Sequence, residues 1–548
     1  MNYRILLLLS FLVNAMGFSQ HASPKKTPFL WPSANLYFVV TDRFCNGDTT
    51  NDVNFGRTKP AAKFRGFEGG DIKGVTKKIK EGYFDRLGVN ALWLTPIVEQ
   101  IHDGTDEGTG LSYGFHGYWT RDWSALDPNF GTEADLQELV TTAHAHGIRI
   151  VLDAVINHTG PVTHSDPEWP SDWVRTGPTC SYKSYETTTA CTLVANLPDV
   201  LTESDTPVEL PPFLLEKWKN EGRYEQQTAE LDAFFKATGY PRAPKYYIIK
   251  WLTDYVRKFG IDGYRADTVK HTNPEVWMAL KTQCDAAFAE WKKAHPESVL
   301  DDNPFFMVAE VYGYGVSGGR NYDFGDHKVD YFDHGFDAMI NFEFRWDADK
   351  DYAFLFGKYA EKFATTLKDV TVLNYTASHD DGNPFDAKRV KSFENANKLL
   401  LCPGISQTYY GDETARLLVV DDATGDAKLR SPMNWDAIEK DASTQAILEH
   451  WQKIGRFRGR HVAVGAGTHT VLSTTPYVCA RQYAQHGISD AVVIGLDLAK
   501  GAKTIAVTGV FKEGQKLRDA YSGQETKVKK GAVTIDSPFT VVLLEEVH

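Results

Sequence analysis

TEADLQELVTTAHAHGIRIVLDAVINH, residues 132–158, holds one complete helix-to-strand unit. Its first half is amphipathic, Gly147 stops it, and a mostly apolar run from Ile148 to Ile156 follows, ending in Asn157 and His158. A glycine just past the last periodic residue marks a helix end. The segment DIKGVTKKIKEGYFDRLG, stopped by Gly88, has the same form ahead of ALWLT (Ala91–Thr95). LYFVV (Leu36–Val40), IDGYRAD (Ile261–Asp267), FFMVAEV (Phe305–Val311), AMINF (Ala338–Phe342), TVLNYTASHD (Thr371–Asp380) and ISQTYYGD (Ile405–Asp412) complete the strand-like runs. Parallel strands need long crossovers, and closing the sheet removes its edges. An open doubly wound sheet would serve four or five such units. Eight units predict an α/β fold, a (β/α)8 TIM barrel.

Two regions break this rhythm. Between the third strand and YIIKWLTDYVRKFG lies a long stretch rich in Pro, Thr and Trp, too long for a plain loop. It predicts a domain inserted after strand 3. Beyond about Arg460, VLSTTPYVCARQYAQ, DAVVIGLDLA, KTIAVTG and VTIDSPFTVVLLE alternate with turn residues, which predicts a C-terminal antiparallel β-sandwich. The expected division is a leader over 1–20, barrel over 28–157 and 246–459, insert over 158–245 and sandwich over 460–548.

The rest of the composition narrows the function class. The 548 residues are 42% hydrophobic and 24% charged, with a formal net charge of −13 and no long run of Lys or Arg. A nucleic acid or an anionic membrane needs concentrated positive charge, so neither is an expected partner. Aromatic residues reach 13%, with 13 Trp and 25 Tyr, flat surfaces that suit a sugar or peptide groove. Arg4, the apolar Ile5–Val13 and the small residues Ala15, Gly17 and Ser19 read as a secretory leader, cleaved after Gly17 or Ser19. No Cys for a lipid anchor lies near that point. The expectation is an exported, periplasmic or extracellular monomer, free of the membrane after cleavage. In that compartment Cys180 and Cys191, eleven apart in a polar loop, are the candidate disulfide, and Cys284 and Cys402 sit in contexts typical of buried free thiols. No Cys/His spacing indicates zinc.

Active sites of such barrels gather at the C-terminal strand ends. There the chain places Asp153, Asn157 and His158 after strand 3, and Arg265, Asp267, Lys270 and His271 after strand 4. Glu310 follows strand 5, and His379 and Asp380 follow strand 7. Burying one charge costs several kcal/mol unless it is paired, so many converging at one rim point to chemistry. DAVINH, GYRADTVKH, AEVYG and ASHDD resemble, in order, the four short regions of the α-amylase family of glycoside hydrolases (family 13). FHGYW (Phe115–Trp119), ANLPDV (Ala195–Val200), YYGDE and RSPMNW are similar to further family segments.

The resemblance implies Asp267 as nucleophile, Glu310 as general acid/base and Asp380 as transition-state stabiliser. It implies sugar contacts from His116, Tyr118, Trp119, His158, Arg265 and His379, with Lys270 and His271 toward the leaving-group side. Retaining cleavage needs two carboxyl groups about 5–5.5 Å apart, one ionised to attack and one protonated to donate. Arg265 lies two residues before Asp267 on the same strand face and can hold it ionised. Nearby negative charge would keep Glu310 protonated. LPDV (Leu197–Val200) and the Lys270–His271 pair favour α-1,4-glucosidic bonds in starch- or glycogen-like glucans or maltooligosaccharides. A cyclodextrin- or pullulan-degrading or transglycosylating relative is the alternative. Asp381 departs from the family, which mostly has a neutral residue there.

The resemblance also implies structural Ca2+, which favours six to eight oxygen ligands. One site would use Asn157, Asp199 and the carbonyl of His271, with a further ligand falling near Thr189, where no carboxylate stands. A second, like the calcium loop of cyclodextrin-forming relatives, would use Asn46, Asp48, Asn51, Asp52, Asp71 and the carbonyl of Gly69. Turns with side chains bonded only to backbone are the alternative for these loops. GVSGG (Gly315–Gly319) formally matches a serine nucleophile elbow, but no helix pattern follows it.

Overall fold

In the computed structural model, which describes residues 28–106 and 108–547, eight strands close into a parallel barrel. They are β1 (Asn35–Val39), β2 (Ala91–Leu94), β3 (Arg149–Ala154), β4 (Gly263–Ala266), β5 (Phe306–Ala309), β6 (Ala338–Asn341), β7 (Thr371–Tyr375) and β8 (Ile405–Tyr409). Each pairs with its neighbours in sequence, and β8 returns to β1, with Phe38 opposite Tyr409. Every residue of these strands is buried, as expected of strands covered on both faces. The leader expected over 1–20 lies outside the described residues.

The helix stops and starts read from sequence have local causes. Asp71 caps helix Ile72–Lys80 by accepting from the Gly74 amide at 2.6 Å. Thr132 and Asp135 form a reciprocal capping box at the head of helix Glu133–Ala145. That helix ends where Gly147 takes a left-handed φ of 71°, a conformation glycine adopts without a Cβ penalty. Trp31 stacks on Phe306 at 3.8 Å where β5 begins, and Phe38 stacks on Trp93 at 3.6 Å inside the barrel. The barrel is a packed core, and the polar side chains buried within its strands are partnered where Asn341 donates to Asn374 at 2.9 Å and Asn374 to the Pro403 carbonyl at 2.9 Å.

Between β3 and β4 the chain forms a short ladder, Val174–Arg175 with Asp199–Val200, and helices Tyr185–Thr189, Pro212–Asn220 and Tyr224–Thr238. Cys180 and Cys191 are bonded there, while Cys284 and Cys402 are buried and free. After helix Ala442–Arg460 a six-stranded antiparallel sheet faces the two-stranded pair Gly501–Ala506 and Ala532–Ser537. Val493, Val507, Leu517, Ile535 and Leu544 are among the side chains that fill the core between them. This is the terminal sandwich. Among the described residues no helix is long and apolar enough to cross a membrane.

Candidate active site

Register places the charges. Arg265 on β4 lies opposite Asp153 on β3 and Val308 on β5, so its side chain emerges between neighbouring strand ends. The guanidinium is 1% exposed and touches three carboxylates. Nη1 binds Asp267 Oδ1 at 2.7 Å and Asp153 Oδ1 at 2.9 Å, and Nη2 binds Glu310 Oε1 at 2.8 Å. Asp153 also accepts from the Tyr118 hydroxyl at 2.8 Å and Trp93 Nε1 at 3.1 Å, which ties it into the wall. Glu310 Oε2 accepts the Thr268 amide at 2.9 Å. One fixed cation facing three carboxylates leaves excess negative charge in a buried site, and a retained proton relieves it. Burial holds Glu310 well above the usual carboxyl range; Arg265 opposes this, and Asp267 and Asp380 add to it. The negative neighbours expected from sequence do contribute, but burial is the larger cause.

The imidazoles around this cluster are neutral. Burial and the charge of Arg430 hold His116 well below its ordinary value. Burial lowers His158 and pushes His379 down to about 4, although Asp380 pulls His379 upward. His116 Nδ1 accepts the Tyr118 amide at 3.0 Å, and His158 Nε2 lies 3.1 Å from the Tyr118 carbonyl. The Tyr118 ring stacks against His379 at 5.3 Å, and His379 Nε2 lies 3.7 Å from Asp380 Oδ2. Asp380 is one-third exposed, the most open of these acids, and His158 Nδ1 is buried with no partner among the described residues. Neutral, oriented imidazoles beside a tyrosine face and three acids can bind the hydroxyl rim and apolar face of a pyranose.

The family description "Alpha amylase, catalytic domain" matches residues 38–464, most of the chain. The chain belongs to the α-amylase family. It is 38% identical over 506 residues to the periplasmic alpha-amylase of Escherichia coli (strain K12), a match covering 81% of this chain and 69% of that protein. It is 26% identical over 390 residues to the cyclomaltodextrin glucanotransferase of Thermoanaerobacterium thermosulfurigenes, covering 69% of this chain and only 49% of that longer protein. The chain thus spans about half the length of that relative. Among solved structures it resembles an Anoxybacillus alpha-amylase, with a TM-score of 0.66 at 21% identity over 95% of this chain and 100% of that one. It also resembles the three-domain cyclomaltodextrin glucanotransferase CldA, with a TM-score of 0.62 at 21% identity over 94% of this chain and 99% of that one. At such identities the structures share the fold.

The remaining residues named from this α-amylase-family pattern fall into three settings. Lys270 reaches along the rim, donating to the Tyr312 carbonyl at 3.0 Å and the Tyr322 hydroxyl at 3.2 Å. The His271 ring turns toward the insert, with Nδ1 3.0 Å from the Thr188 carbonyl, and is pushed down to about 4 by burial and by Lys270. Trp119 is buried with Ile101 and Leu197 in a separate apolar cluster, so its ring is a packing element behind His116 and Tyr118. The unusual Asp381 is buried, paired with Arg345 and bonded by the Tyr375 hydroxyl at 2.7 Å, so its charge is compensated behind Asp380. Ser317 of GVSGG lies on a single 3-10 turn and donates to Glu343, not in a strand-to-helix elbow. Sequence reading passed over Arg430, which donates to the His379 carbonyl at 2.9 Å and pairs with Asp426 at 2.6 Å. Its signal was present as the first residue of RSPMNW.

The two residue groups assigned to calcium differ. Asn157 donates to Asp199 Oδ1 at 2.7 Å, and the other Asp199 oxygen takes Arg175 Nε at 3.3 Å. A guanidinium therefore stands among the expected ligands, and they do not fit an added ion. In the loop group, Asp71 is occupied by the Gly74, Gly47 and Asp48 amides, and Asp48 pairs with Lys73 at 2.6 Å. Asn46 donates to Asp52 Oδ1 at 2.8 Å, close against Gly69. Yet Asn51 Oδ1 is buried with no partner among the described residues, an orphaned oxygen that a hard cation would satisfy. Among the described residues no group of three or more His, Cys, Asp or Glu side chains is arranged to hold a metal.

Proposed function

We propose that this α-amylase-family enzyme hydrolyses α-1,4-glucosidic bonds in starch- or glycogen-like glucans or maltooligosaccharides, with retention of anomeric configuration. The single observation that carries this is the Arg265 guanidinium shared by Asp267 and Glu310. Asp267, bonded to a permanent cation, is the nucleophile that attacks the anomeric carbon. Glu310, whose burial keeps it protonated, donates its proton to the departing glycosidic oxygen. The same carboxylate then takes a proton from water, and the resulting hydroxide displaces Asp267 from the sugar. Asp380 stabilises the positive charge that develops at the anomeric carbon. His116, Tyr118, His158 and His379 hold the ring being cleaved, and Lys270 and His271 lie toward the leaving group.

The periplasmic relative supports export. A calcium ion would be held by the loop group, where Asn51 Oδ1 has no partner among the described residues and Asn46, Asp48, Asp52, Asp71 and the Gly69 carbonyl are the other expected ligands. When bound, it would supply positive charge that ties the loop to the head of helix Ile72–Lys80 without entering the chemistry. Metal analysis of dialysed protein, then melting with chelator and with calcium restored, tests this.

Proton NMR of the first product from a maltooligosaccharide decides the mechanism. The α-anomer is expected; an initial β-anomer would refute the double displacement. A time course on soluble starch, maltooligosaccharides, cyclodextrin and pullulan separates hydrolysis from transfer. The partial match to glucanotransferases favours transfer as the second reading, and dominant cyclic or lengthened products would select it.

A further inference from the structure

We propose that Arg175 is a built-in substitute for a metal ion at the junction of insert and barrel, so this junction holds together without calcium. The argument begins with register. The two-stranded ladder places Arg175 directly opposite Asp199. From there the guanidinium reaches three oxygens: Asp199 Oδ2 at 3.3 Å, the Ala190 carbonyl at 3.2 Å and Glu203 Oε2 at 2.7 Å. A carboxylate pair and a backbone carbonyl are the ligands a hard cation selects. Here they are met by a planar fork of N–H donors that stays charged at any pH the protein meets.

The neighbouring groups complete the junction. Asp199 is 1% exposed, so its charge needs a partner, and its other oxygen takes the Asn157 amide at 2.7 Å. The Asn157 oxygen accepts from Thr272 at 3.3 Å, and the His271 ring bonds the Thr188 carbonyl. Insert, β3 loop and β4 loop thus meet around one positive charge. The disulfide Cys180–Cys191 closes the loop that presents Ala190. A divalent ion among the same oxygens would sit against the guanidinium, which cannot lose its proton, and would be repelled. The consequence reaches the active site, because Asn157 precedes His158 and His271 follows Lys270.

The test compares Arg175→Met, which keeps the apolar stem but removes the charge, with its parent. Both carry Asp48→Ala and Asp52→Ala, so that calcium at the loop cannot contribute. Equilibrium dialysis against calcium and melting in chelator or millimolar calcium are the readouts. The parent is expected to bind no calcium and to melt identically in both buffers. The Arg175→Met chain is expected to melt at least about 3 °C lower in chelator, to bind one calcium, and to recover when calcium is added. Calcium bound by the parent, an equal response of both chains to calcium, or equal melting in chelator would each overturn the proposal. If the loop substitutions prevent folding, the loop-intact chain carrying Asp199→Asn replaces them. Unchanged calcium stoichiometry is then expected, and loss of one ion per chain would overturn the proposal.

Discussion

At the scale of single residues, what separates Asp267 from Glu310 is environment rather than chemistry. Both are 6% exposed and both touch Arg265, Asp267 at 2.7 Å and Glu310 at 2.8 Å, but Glu310 is held well above the usual carboxyl range by burial and by the charges of Asp267 and Asp380. Replacing Asp267, Glu310 or Asp380 by its amide is expected to lower kcat at least about a thousandfold, roughly 4 kcal/mol of transition-state stabilisation. The fold should survive, since amides keep the shape. The roles separate with α-maltosyl fluoride, whose leaving group needs no proton to depart. On that substrate the first step should be largely spared in Glu310→Gln and not in Asp267→Asn. Equal losses in the two variants would remove Glu310 from the acid role. Because the acid works protonated, kcat/KM should fall on the alkaline side, as pH rises through the elevated Glu310 value, and Glu310→Gln should lose that limb.

At the scale of elements, the barrel brings side chains from distant strands to one rim, and glycines let the outer helices approach closely. Gly455 lies inside helix Ala442–Arg460, where alanine would ordinarily gain about 1 kcal/mol. Here a Cβ at Gly455 would stand 2.0 Å from the Leu87 carbonyl, and one at Gly88 would stand 2.2 Å from the Gly455 carbonyl. Backbone cannot move aside as a flexible side chain can. The clash therefore falls at the upper end of the roughly 1–3 kcal/mol typical of overpacking and outweighs the propensity gain. Gly455→Ala is expected to lower the melting temperature, whereas Gly357→Ala, with open space around its Cβ position, should not. A melting temperature raised by Gly455→Ala would contradict this packing.

At the scale of the whole molecule, barrel and sandwich are joined by a charged knot. His461, just after helix Ala442–Arg460, contacts Asp490 Oδ1 and Glu545 Oε2, each at 2.8 Å. Glu545 also pairs with Arg460 at 2.8 Å and with Arg518. Burial disfavours the charged ring, but the two carboxylates outweigh it, so His461 is raised above its ordinary value. Its contribution is complete below about pH 6.5, the unfolded value, and is lost as pH rises through the folded one. Glu545 is lowered to about 2, chiefly by His461 and Arg460 working against burial. Its contribution is present above its ordinary value and is lost as pH falls toward 2. His461→Gln should therefore lower the melting temperature most between about pH 5 and 6.5, and least on the alkaline side. A difference that is constant with pH would rule out this linkage.

The sequence by itself determined the order of elements and which residues could carry chemistry. All eight strands lie where their apolar runs stand, and the stops at Gly88 and Gly147 are real because left-handed backbone there is a local property. Asp153, Arg265, Asp267, Glu310 and His379 were legible because charge at a strand end is costly without a purpose. Partnership was not legible. That Glu310 shares the Arg265 fork, that Asp381 is neutralised by Arg345, and that Trp119 packs with Ile101 and Leu197 depend on contacts far apart in the chain. The calcium ligands show the limit most plainly. Asn157 and Asp199 read as an ion's ligands until the ladder sets Arg175 against Asp199, 24 residues away in sequence. Periodicity and capping act between near neighbours and so are written along the chain. Burial, register and charge compensation act across it, and exist only once the barrel has closed.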